Sequence, residues 1–386
     1  MSEWQKQKIS DFCDITRGGS PRPIQDYLSS SGTPWVKISD ATASNNRYIS
    51  STKEFIKVEG ESKSRVVNPG DFILSNSATP GLPRFMKIRA CVHDGWLLIR
   101  NIKGVDELFL YYLLLTEREA LLVQGNGSIF TNLKTEILKE HIVNLPPLEE
   151  QKAIASVLSS LDDKIDLLHR QNTTLERMAE TLFRQWFVEE AQEDWEEKPL
   201  SFYGEIVCGK TPSKQNHSYF NGDVPFIKIP DMHGNPFIFK TEDTLTELGK
   251  SSQNNKTVPP YSICVSCIAT VGLVSITTKP SQTNQQINTI VPCHSKYRYF
   301  LYLTMKASYD LLHAEASGGT ATLNLNTGNF SRITVPLPPD SLLLEFESIV
   351  DKVFNKIYQN QAQIQTLEKL RDNLLPKLMS GEVRVS

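Results

Sequence analysis

The longest regular pattern in the chain is a heptad repeat of apolar residues within residues 145–190. Its apolar positions alternate in steps of four and three, a spacing that keeps one stripe of a helix facing a partner helix. The repeat spans 33 residues, or roughly 50 Å of helix, so we expect a partner helix of similar length. Its core positions are Ile154, Leu158, Leu161, Ile165, Leu168, Asn172, Leu175, Ala179, Leu182 and Trp186.

A second heptad repeat follows 192 residues later and keeps the same spacing throughout. If the two helices pair antiparallel with Asn172 opposite Asn360, the residue numbers of every facing pair sum to 532. We hypothesise that a buried Asn pair fixes this register; the alternative is two unrelated, partly exposed Asn side chains. The second set of core positions is Phe346, Val350, Val353, Ile357, Asn360, Ile364, Leu367, Arg371, Leu374 and Leu378.

The regions outside the heptads are also duplicated, at an offset of 191 that becomes 192 after about residue 115. PWVKISD at 34–40 matches PFIKIPD at 225–231, and SNSATPGL at 75–82 matches SCIATVGL at 266–273. This self-similarity indicates gene duplication of a unit much longer than a solenoid repeat. The expected segments are a globular domain at 1–147, a helix at 148–190, a second domain at 191–339 and a helix at 340–386.

Each globular part contains short β-branched or aromatic runs bounded by Gly, Pro, Asn and Ser, which predict strands. The Leu-rich stretch 107–123 and its counterpart 297–314 predict buried helices, and Pro376 is expected to kink or end the last helix near Leu375. We therefore predict an α+β fold. It consists of two duplicated mixed α/β domains separated by two long antiparallel coiled-coil helices, with pseudo-two-fold symmetry.

Charge is distributed unevenly along the 386 residues, although the net charge is only −3. Residues 1–147 and 198–339 carry +2 and +4, whereas 148–197 and 340–386 carry −8 and −1. A polyanion is therefore expected on the globular parts rather than on the helices. The chain shows no secretory or membrane-spanning pattern, which predicts a cytoplasmic protein with its six Cys as free thiols.

Catalytic and metal-binding signatures are missing from the sequence. It contains no phosphate-binding GxxxxGK[ST] loop, no HExxH and no GxSxG. The Cys264–Cys267 CxxC has no second ligand pair at zinc spacing, which favours buried thiols over a metal site. A nuclease-like set of Asp40, Glu61 and Lys63 is not repeated in the second copy. We therefore expect neither catalysis nor a cofactor in this chain.

The two copies share small, polar, Gly-flanked positions with isolated cations, which suit contacts to phosphates and base edges. The alternative is structural: Gly and Pro mark turns, and Lys37 and Lys228 lie at strand ends on a solvated face. The segment TNQQ at 283–286, aligned with VHDG at 92–95, supplies amides suited to adenine in one copy only. The candidate DNA-binding residues are Arg17, Ser20, Arg22, Lys37, Asn76, Arg84, Asn126, Ser128, Lys210, Thr211, Lys214, Lys228, Thr270, Asn284, Gln285, Gln286 and Thr320.

Two similar domains held apart by an antiparallel helix pair match the two-fold symmetry of duplex DNA. Modules about one helical turn apart, roughly 34 Å, can recognise two half-sites on one face of the duplex. Because the domains differ at the candidate positions, the half-sites should differ in sequence.

The segment LPPLEEQKAIASVLSSLDDKIDLLHRQNTTLERMAETLFRQWFV at 145–188 resembles the central conserved region of type I restriction–modification specificity subunits, and LLPKLMSGEV at 374–383 resembles the end of their distal conserved region. The second helix departs from the first, with DSLLLEF in place of LEEQKAI. The resemblance covers the whole chain, including G-x-[ST]-P and P-[WF]-[VI]-K-I-x-D in both copies.

This resemblance implies a non-catalytic subunit with two target recognition domains, one for each half of a split DNA site. It also implies two modification subunits that bind S-adenosylmethionine and restriction subunits that use ATP and Mg²⁺. Two other functions stay open from the residues alone, namely a self-sufficient methyltransferase or nuclease and a coiled-coil scaffold that binds only proteins.

Overall fold

A computed structural model describes residues 4–44, 46–124, 132–234, 236–317 and 323–385. It divides into two compact units. Unit 1 is Met1–Leu167 with Ile364–Ser386, and unit 2 is Leu168–Gln363. Each unit therefore contains one globular part and a portion of both long helices.

Two helices are far longer than the rest, and they cover the two heptad repeats. The first, α5 (Leu148–Arg184), continues into a π-helical turn at Gln185–Glu189. Within the described residues, neither long helix nor any shorter one carries an apolar stretch that could span a membrane. The helices are α1 Ile38–Ala43, α2 Glu107–Thr116, α3 Arg118–Gln124, α4 Thr135–Glu140, α5 Leu148–Arg184, α6 Leu200–Tyr203, α7 Glu247–Ser251, α8 Arg298–Ala307, α9 Tyr309–Ala316, α10 Thr327–Arg332 and α11 Asp340–Met379.

The strands are short in both units, as the β-branched and aromatic runs predict. In unit 1 they are β1 Gln5–Lys8, β2 Asp14–Arg17, β3 Leu28–Ser29, β4 Thr33–Val36, β5 Tyr48–Ile49, β6 Glu54–Ile56, β7 Arg65–Val67, β8 Phe72–Ser75, β9 Pro83–Met86, β10 Ala90–Val92, β11 Trp96–Arg100 and β12 Ile142–Leu145. In unit 2 they are β13 Glu197–Pro199, β14 Gly204–Cys208, β15 Phe220–Ile227, β16 Phe237–Ile238, β17 Asp243–Leu245, β18 Ile263–Ser266, β19 Val274–Thr277, β20 Gln282–Thr283, β21 Ile287–Pro292 and β22 Thr334–Pro336.

One sheet has an equivalent strand order in both units, whereas the second has five strands in unit 1 and three in unit 2. A mixed five-stranded sheet runs β2-β11-β8-β9-β5 in unit 1 and β14-β21-β18-β19-β16 in unit 2. A second sheet runs β3-β6-β4-β10-β7 in unit 1 and β17-β15-β20 in unit 2. Strand β1 pairs with β12, and β13 pairs with β22. The duplication seen in the sequence is therefore a duplication of topology, and the mixed α/β fold class is confirmed.

The Leu-rich stretch of each unit forms two consecutive helices rather than one. The first break lies at Glu117, between α2 and α3, and the second at Ser308, between α8 and α9. Thr116 donates its hydroxyl hydrogen bond to the Tyr112 carbonyl at 3.0 Å, and Ser308 donates to the Thr304 carbonyl at 2.8 Å. Such bonds to the preceding turn bend helices, which explains a break without Gly or Pro.

In unit 1, the start of α5 packs against the end of α11. Leu158 and Leu378 are buried in one apolar cluster with the β2-β11-β8 sheet. Asp162 accepts hydrogen bonds from the Tyr112 hydroxyl at 2.6 Å and from Arg371 Nη1 at 2.9 Å. Arg371, the charged core position of the second repeat, is therefore paired. Helix α11 continues through Pro376 to Met379, so the prediction that it ends near Leu375 was wrong.

In unit 2, the end of α5 packs against the start of α11. Phe346 is fully buried, and its ring centroid lies 4.8 Å from that of Phe187. Asn360 Nδ2 donates a hydrogen bond to Asn172 Oδ1 at 2.8 Å, and both side chains are buried. The contact is the one expected for the register in which facing positions sum to 532.

Candidate nucleic-acid interface

Three loops of unit 1 converge at one end of its sheets. We call them loop A1 (residues 17–22), loop B1 (75–82) and loop C1 (92–96). Backbone hydrogen bonds join them: Gly18 N to Trp96 O at 2.8 Å, Gly19 N to Val92 O at 3.2 Å and Asn76 N to Gly95 O at 2.8 Å. Candidate positions spread over 60 residues of sequence therefore form one surface.

Unit 2 builds the same surface from equivalent residues. Its loops are A2 (208–214), B2 (266–273) and C2 (283–287). The equivalent hydrogen bonds run from Gly209 N to Ile287 O at 3.1 Å, from Lys210 N to Thr283 O at 2.9 Å and from Cys267 N to Gln286 O at 2.8 Å. The scaffold of the surface is thus common to both units, and only its side chains differ.

Loops A and C approach too closely for a side chain at the first loop glycine. A Cβ on Gly18 would lie 2.1 Å from the His93 carbonyl oxygen, and one on Gly209 would lie 2.1 Å from the Asn284 carbonyl oxygen. The shared glycine of the G-x-[ST]-P motif is therefore a packing requirement.

Loop B has the same backbone conformation in both units. Ala78 and Ala269 have φ of 57° and 65°, in the left-handed region that non-glycine residues rarely adopt. The N–H groups of Leu82 and Leu273 each donate to the hydroxyl of the serine that begins the loop, at 2.9 Å. Nothing in the sequence signals a left-handed alanine, so this shape was not predicted.

The hydroxyl of the G-x-[ST]-P motif binds the tip of loop C in both units. Ser20 Oγ donates to Asp94 Oδ1 at 2.7 Å, and Thr211 Oγ1 donates to Gln285 Oε1 at 2.7 Å. The Ser20 hydrogen bond lowers the pKa of Asp94, which keeps the carboxylate ionised. Sequence analysis missed Asp94 because an acidic residue is not an expected DNA contact; its alignment with Gln285 was the available signal.

The exposed cations of this surface lie on loop A. Arg17 and Arg22 are exposed, and Arg17 Nε donates to the Asp94 carbonyl at 2.8 Å. Lys210 and Lys214 are exposed on loop A2. These four side chains are placed to reach phosphates.

The two lysines at the strand ends are paired with acids. Lys37 forms an ion pair with Glu54 at 2.9 Å, and Lys228 forms one with Asp243. Both lysines remain partly exposed. The carboxylates of Asp40 and Asp231 accept the backbone N–H groups of Lys37 and Lys228 at 2.8 Å. These acids therefore cap the following short helices, which is a structural role.

Arg84, Asn76 and Asn284 are buried and serve structural roles. Arg84 is 7% exposed, and its guanidinium donates to the carbonyls of Ala41 and Pro83. Burial lowers the pKa of Arg84. Asn76 Nδ2 donates to the Asp94 carbonyl at 3.2 Å, and Asn284 Nδ2 donates to Gln286 Oε1 at 2.9 Å. Because its guanidinium is buried against these carbonyls, Arg84 is not among the proposed DNA contacts.

Of the four remaining candidates, one lies on loop B2. Thr270 is exposed on loop B2. Asn126, Ser128 and Thr320 lie outside the described residues. The chain that follows them passes beside loop B in both units, since Leu133 N donates to the Asn76 carbonyl and Leu325 N donates to the Cys267 carbonyl, each at 2.8 Å.

A pocket of about 460 Å³ opens at loops A1 and C1 of unit 1. Trp35 and His93 supply aromatic walls, with ring centroids 6.0 Å apart. Arg22, Lys37 and Asp94 also line it. Burial lowers the pKa of His93, so its ring is neutral at pH 7. The combination of ring faces, cations and one carboxylate suits a nucleic acid better than a small apolar ligand.

The CxxC thiols lie within the core of unit 2. Burial raises the pKa of Cys264 to about 12 and that of Cys267 to about 11, so both are protonated. Among the described residues, no group of three His, Cys, Asp or Glu is arranged to hold a metal.

Comparison with known proteins identifies the family of the chain. The family model described as "Type I restriction modification DNA specificity domain" matches residues 1–177 and again 192–369. The chain is 33% identical to the type I restriction enzyme HindI specificity subunit of Haemophilus influenzae, over 99% of this chain and 100% of that one. It is 28% identical to the MjaIX specificity subunit of Methanocaldococcus jannaschii, over 99% and 94%.

A solved structure has the same fold. The crystal structure of a type I restriction–modification S subunit from M. genitalium aligns with a TM-score of 0.62 over 97% of this chain and 96% of that chain, at 16% identity. The fold is thus shared at low sequence identity. From the two matches of the family model and the full-length similarity to its curated relatives, the chain belongs to the family of type I restriction–modification specificity subunits.

Proposed function

We propose that the chain recognises a bipartite, asymmetric DNA site and confers this specificity on a restriction–modification complex without catalysing a reaction itself. The target recognition domains are residues 1–147 and 191–339, and each contacts one half of the site. The observation that carries this proposal is the common scaffold of loops A, B and C, which holds different exposed side chains in the two units.

The partners would be two modification subunits and the restriction subunits, assembled in the cytoplasm. The helical segments 148–190 and 340–386 would scaffold them, because their outward faces expose apolar side chains such as Met178 and Leu344, at 57% and 53%. S-adenosylmethionine, ATP and Mg²⁺ would be held by these partners, and double-stranded DNA by loops A, B and C.

The proposed DNA contacts combine phosphate-binding cations with polar side chains near base edges. Arg17, Arg22, Lys210 and Lys214 would contact phosphates. Partial exposure leaves Lys37 and Lys228 able to exchange their acidic partners for phosphate. The polar contacts would come from Ser20, Thr211, Thr270, Gln285 and Gln286, and also from Asn126, Ser128 and Thr320.

Removing the loop A cations is expected to weaken DNA binding equally for all sequences and to reduce its salt dependence. The double variant Arg17→Gln/Arg22→Gln should lower the slope of log K against log salt by roughly 2, since each phosphate contact contributes about 0.9. The measurement is duplex binding at several salt concentrations by the chain in complex with its modification subunit. Lys210→Gln/Lys214→Gln should have the same effect through unit 2.

Matched controls remove exposed lysines outside the loops, with Lys6→Gln/Lys103→Gln in unit 1 and Lys240→Gln/Lys279→Gln in unit 2. Equal effects of the control and loop variants would contradict the proposed interface. A complex that shows no salt-dependent binding to any duplex would instead support a protein-only scaffold. Methylation or cleavage by the isolated chain with S-adenosylmethionine or Mg²⁺ would support a self-sufficient enzyme.

A further inference from the structure

Loop C forms the same turn in both units although its side chains differ. In unit 1, His93 Nδ1 accepts the Gly95 N–H at 2.8 Å, and in unit 2 Asn284 Oδ1 accepts the Gln286 N–H at 3.1 Å. An imidazole and an amide thus make the same local hydrogen bond, from the residue before the tip to the residue after it. The backbone of the turn is therefore set independently of the tip residue.

The tip residue itself is held in place by loop A. Asp94 and Gln285 occupy equivalent positions, and each accepts a hydrogen bond at 2.7 Å from the motif hydroxyl of its own unit. The side chain of Asp94 is 41% exposed, and Gln285 is exposed. Both side chains are therefore oriented by the scaffold and still accessible to a ligand.

The chemistry of these two groups differs in a way that matters for DNA. The Asp94 carboxylate only accepts hydrogen bonds, and its negative charge disfavours contact with a phosphate. Arg22 Nη2 forms an ion pair with Asp94 Oδ2 at 3.5 Å, and Arg17 Nε donates to the Asp94 carbonyl. These two cations favour the approach of a DNA strand that the carboxylate alone would repel. An ionised acid in a phosphate-binding surface is suited to a base that presents an exocyclic amine. The Gln285 amide both donates and accepts, which matches the N6 and N7 edge of adenine.

We propose that Asp94 and Gln285 are equivalent specificity-determining residues, one for each half of the DNA site. Asp94 accepts a hydrogen bond from cytosine N4 or adenine N6 in one half-site. Gln285 contacts adenine in the other half-site. This inference rests on the proposed function, because it requires that each unit recognise one half-site.

The test uses isosteric variants, Asp94→Asn and Gln285→Glu. Each keeps the oxygen that accepts the motif hydroxyl, changes the donor and acceptor pattern at the tip and alters the charge there by one unit. The chain in complex with its modification subunit is tested for binding to the motif that the wild-type complex methylates. The competing duplexes each carry one base substitution in that motif.

Asp94→Asn is expected to change discrimination on the order of 10- to 100-fold at one position of one half-site, which is the range for one base contact. Gln285→Glu should do the same in the other half-site only. Asp26→Asn and Gln192→Glu make the same chemical changes at exposed positions outside the loops and should leave every position unchanged. Thermal unfolding of each complex checks that the variants fold.

An equal change of affinity for all duplexes, with no change in discrimination at any position, would overturn the inference, because it would show that the tip residues act only through charge or structure. Unchanged discrimination, or a change in both half-sites from one variant, would also overturn it. If the wild-type complex prefers no duplex, the proposed function itself fails. That result is distinguishable from a failure of the inference because it is obtained with the wild-type complex, before any variant is tested.

Discussion

Exchanging residues 198–339 for the corresponding segment of another specificity subunit is expected to change one half of the methylated site completely and leave the other half unchanged. Loops A2, B2 and C2 all lie inside this segment, and loops A1, B1 and C1 all lie outside it. Because hydrogen bonds within one unit join the three loops of each surface, the exchange transfers a complete surface. Methylated bases in the host DNA would be mapped after co-expression with the modification subunit.

The donor segment should preserve the packing of unit 2. Phe300 lies within the segment, and its ring centroid is 5.0 Å from that of Phe187 on the retained helical segment. A donor with an aromatic residue there avoids a cavity whose cost would be about 3–5 kcal/mol.

The matched control exchanges residues 1–147 and should change the opposite half-site. A change in both halves, or in neither, would rule out the proposal that each unit recognises one half-site.

Replacing both Asn172 and Asn360 by Leu is expected to raise the melting temperature of the protein. Their amides bond to each other, yet Asn360 Oδ1 is buried and accepts no hydrogen bond from any residue that the structure describes. An unsatisfied buried acceptor costs about 1–3 kcal/mol, and apolar replacement of a buried polar pair is often stabilising. A gain of this size in the free energy of unfolding corresponds to an increase of several degrees in the melting temperature. The register of the helices should loosen, since the specific pair is lost.

The single variants Asn172→Leu and Asn360→Leu provide the control. Each leaves one buried amide without its partner and should lower the melting temperature. A double variant that melts below the wild type would show that the Asn pair stabilises the fold, contrary to this account.

The architecture was largely predictable because it follows from residue periodicity. The heptad positions specify which side of each long helix is buried, and the structure leaves none of the predicted core positions fully exposed. Short β-branched and aromatic runs predicted the strands, and duplication predicted that the two units would share a topology. These features depend on local patterns, which a sequence displays directly.

The details of the surface were less predictable because they depend on tertiary contacts. Arg84 resembles a DNA-binding cation in the sequence, but its guanidinium satisfies buried carbonyls. Asp94 is negatively charged, which is not expected of a DNA contact, yet it lies at the centre of the loop surface. The break between α2 and α3 arises from a hydroxyl bond to the preceding turn, and Thr is common enough in helices that its presence alone predicts no break.

The most direct test of the account is to co-express this chain with its modification subunit and sequence the host DNA for methyladenine. The account predicts a split motif with two different halves, methylated on both strands and lost when this chain is omitted. A soluble complex that adds no methylation, or a motif that persists without this chain, would contradict its role in specificity.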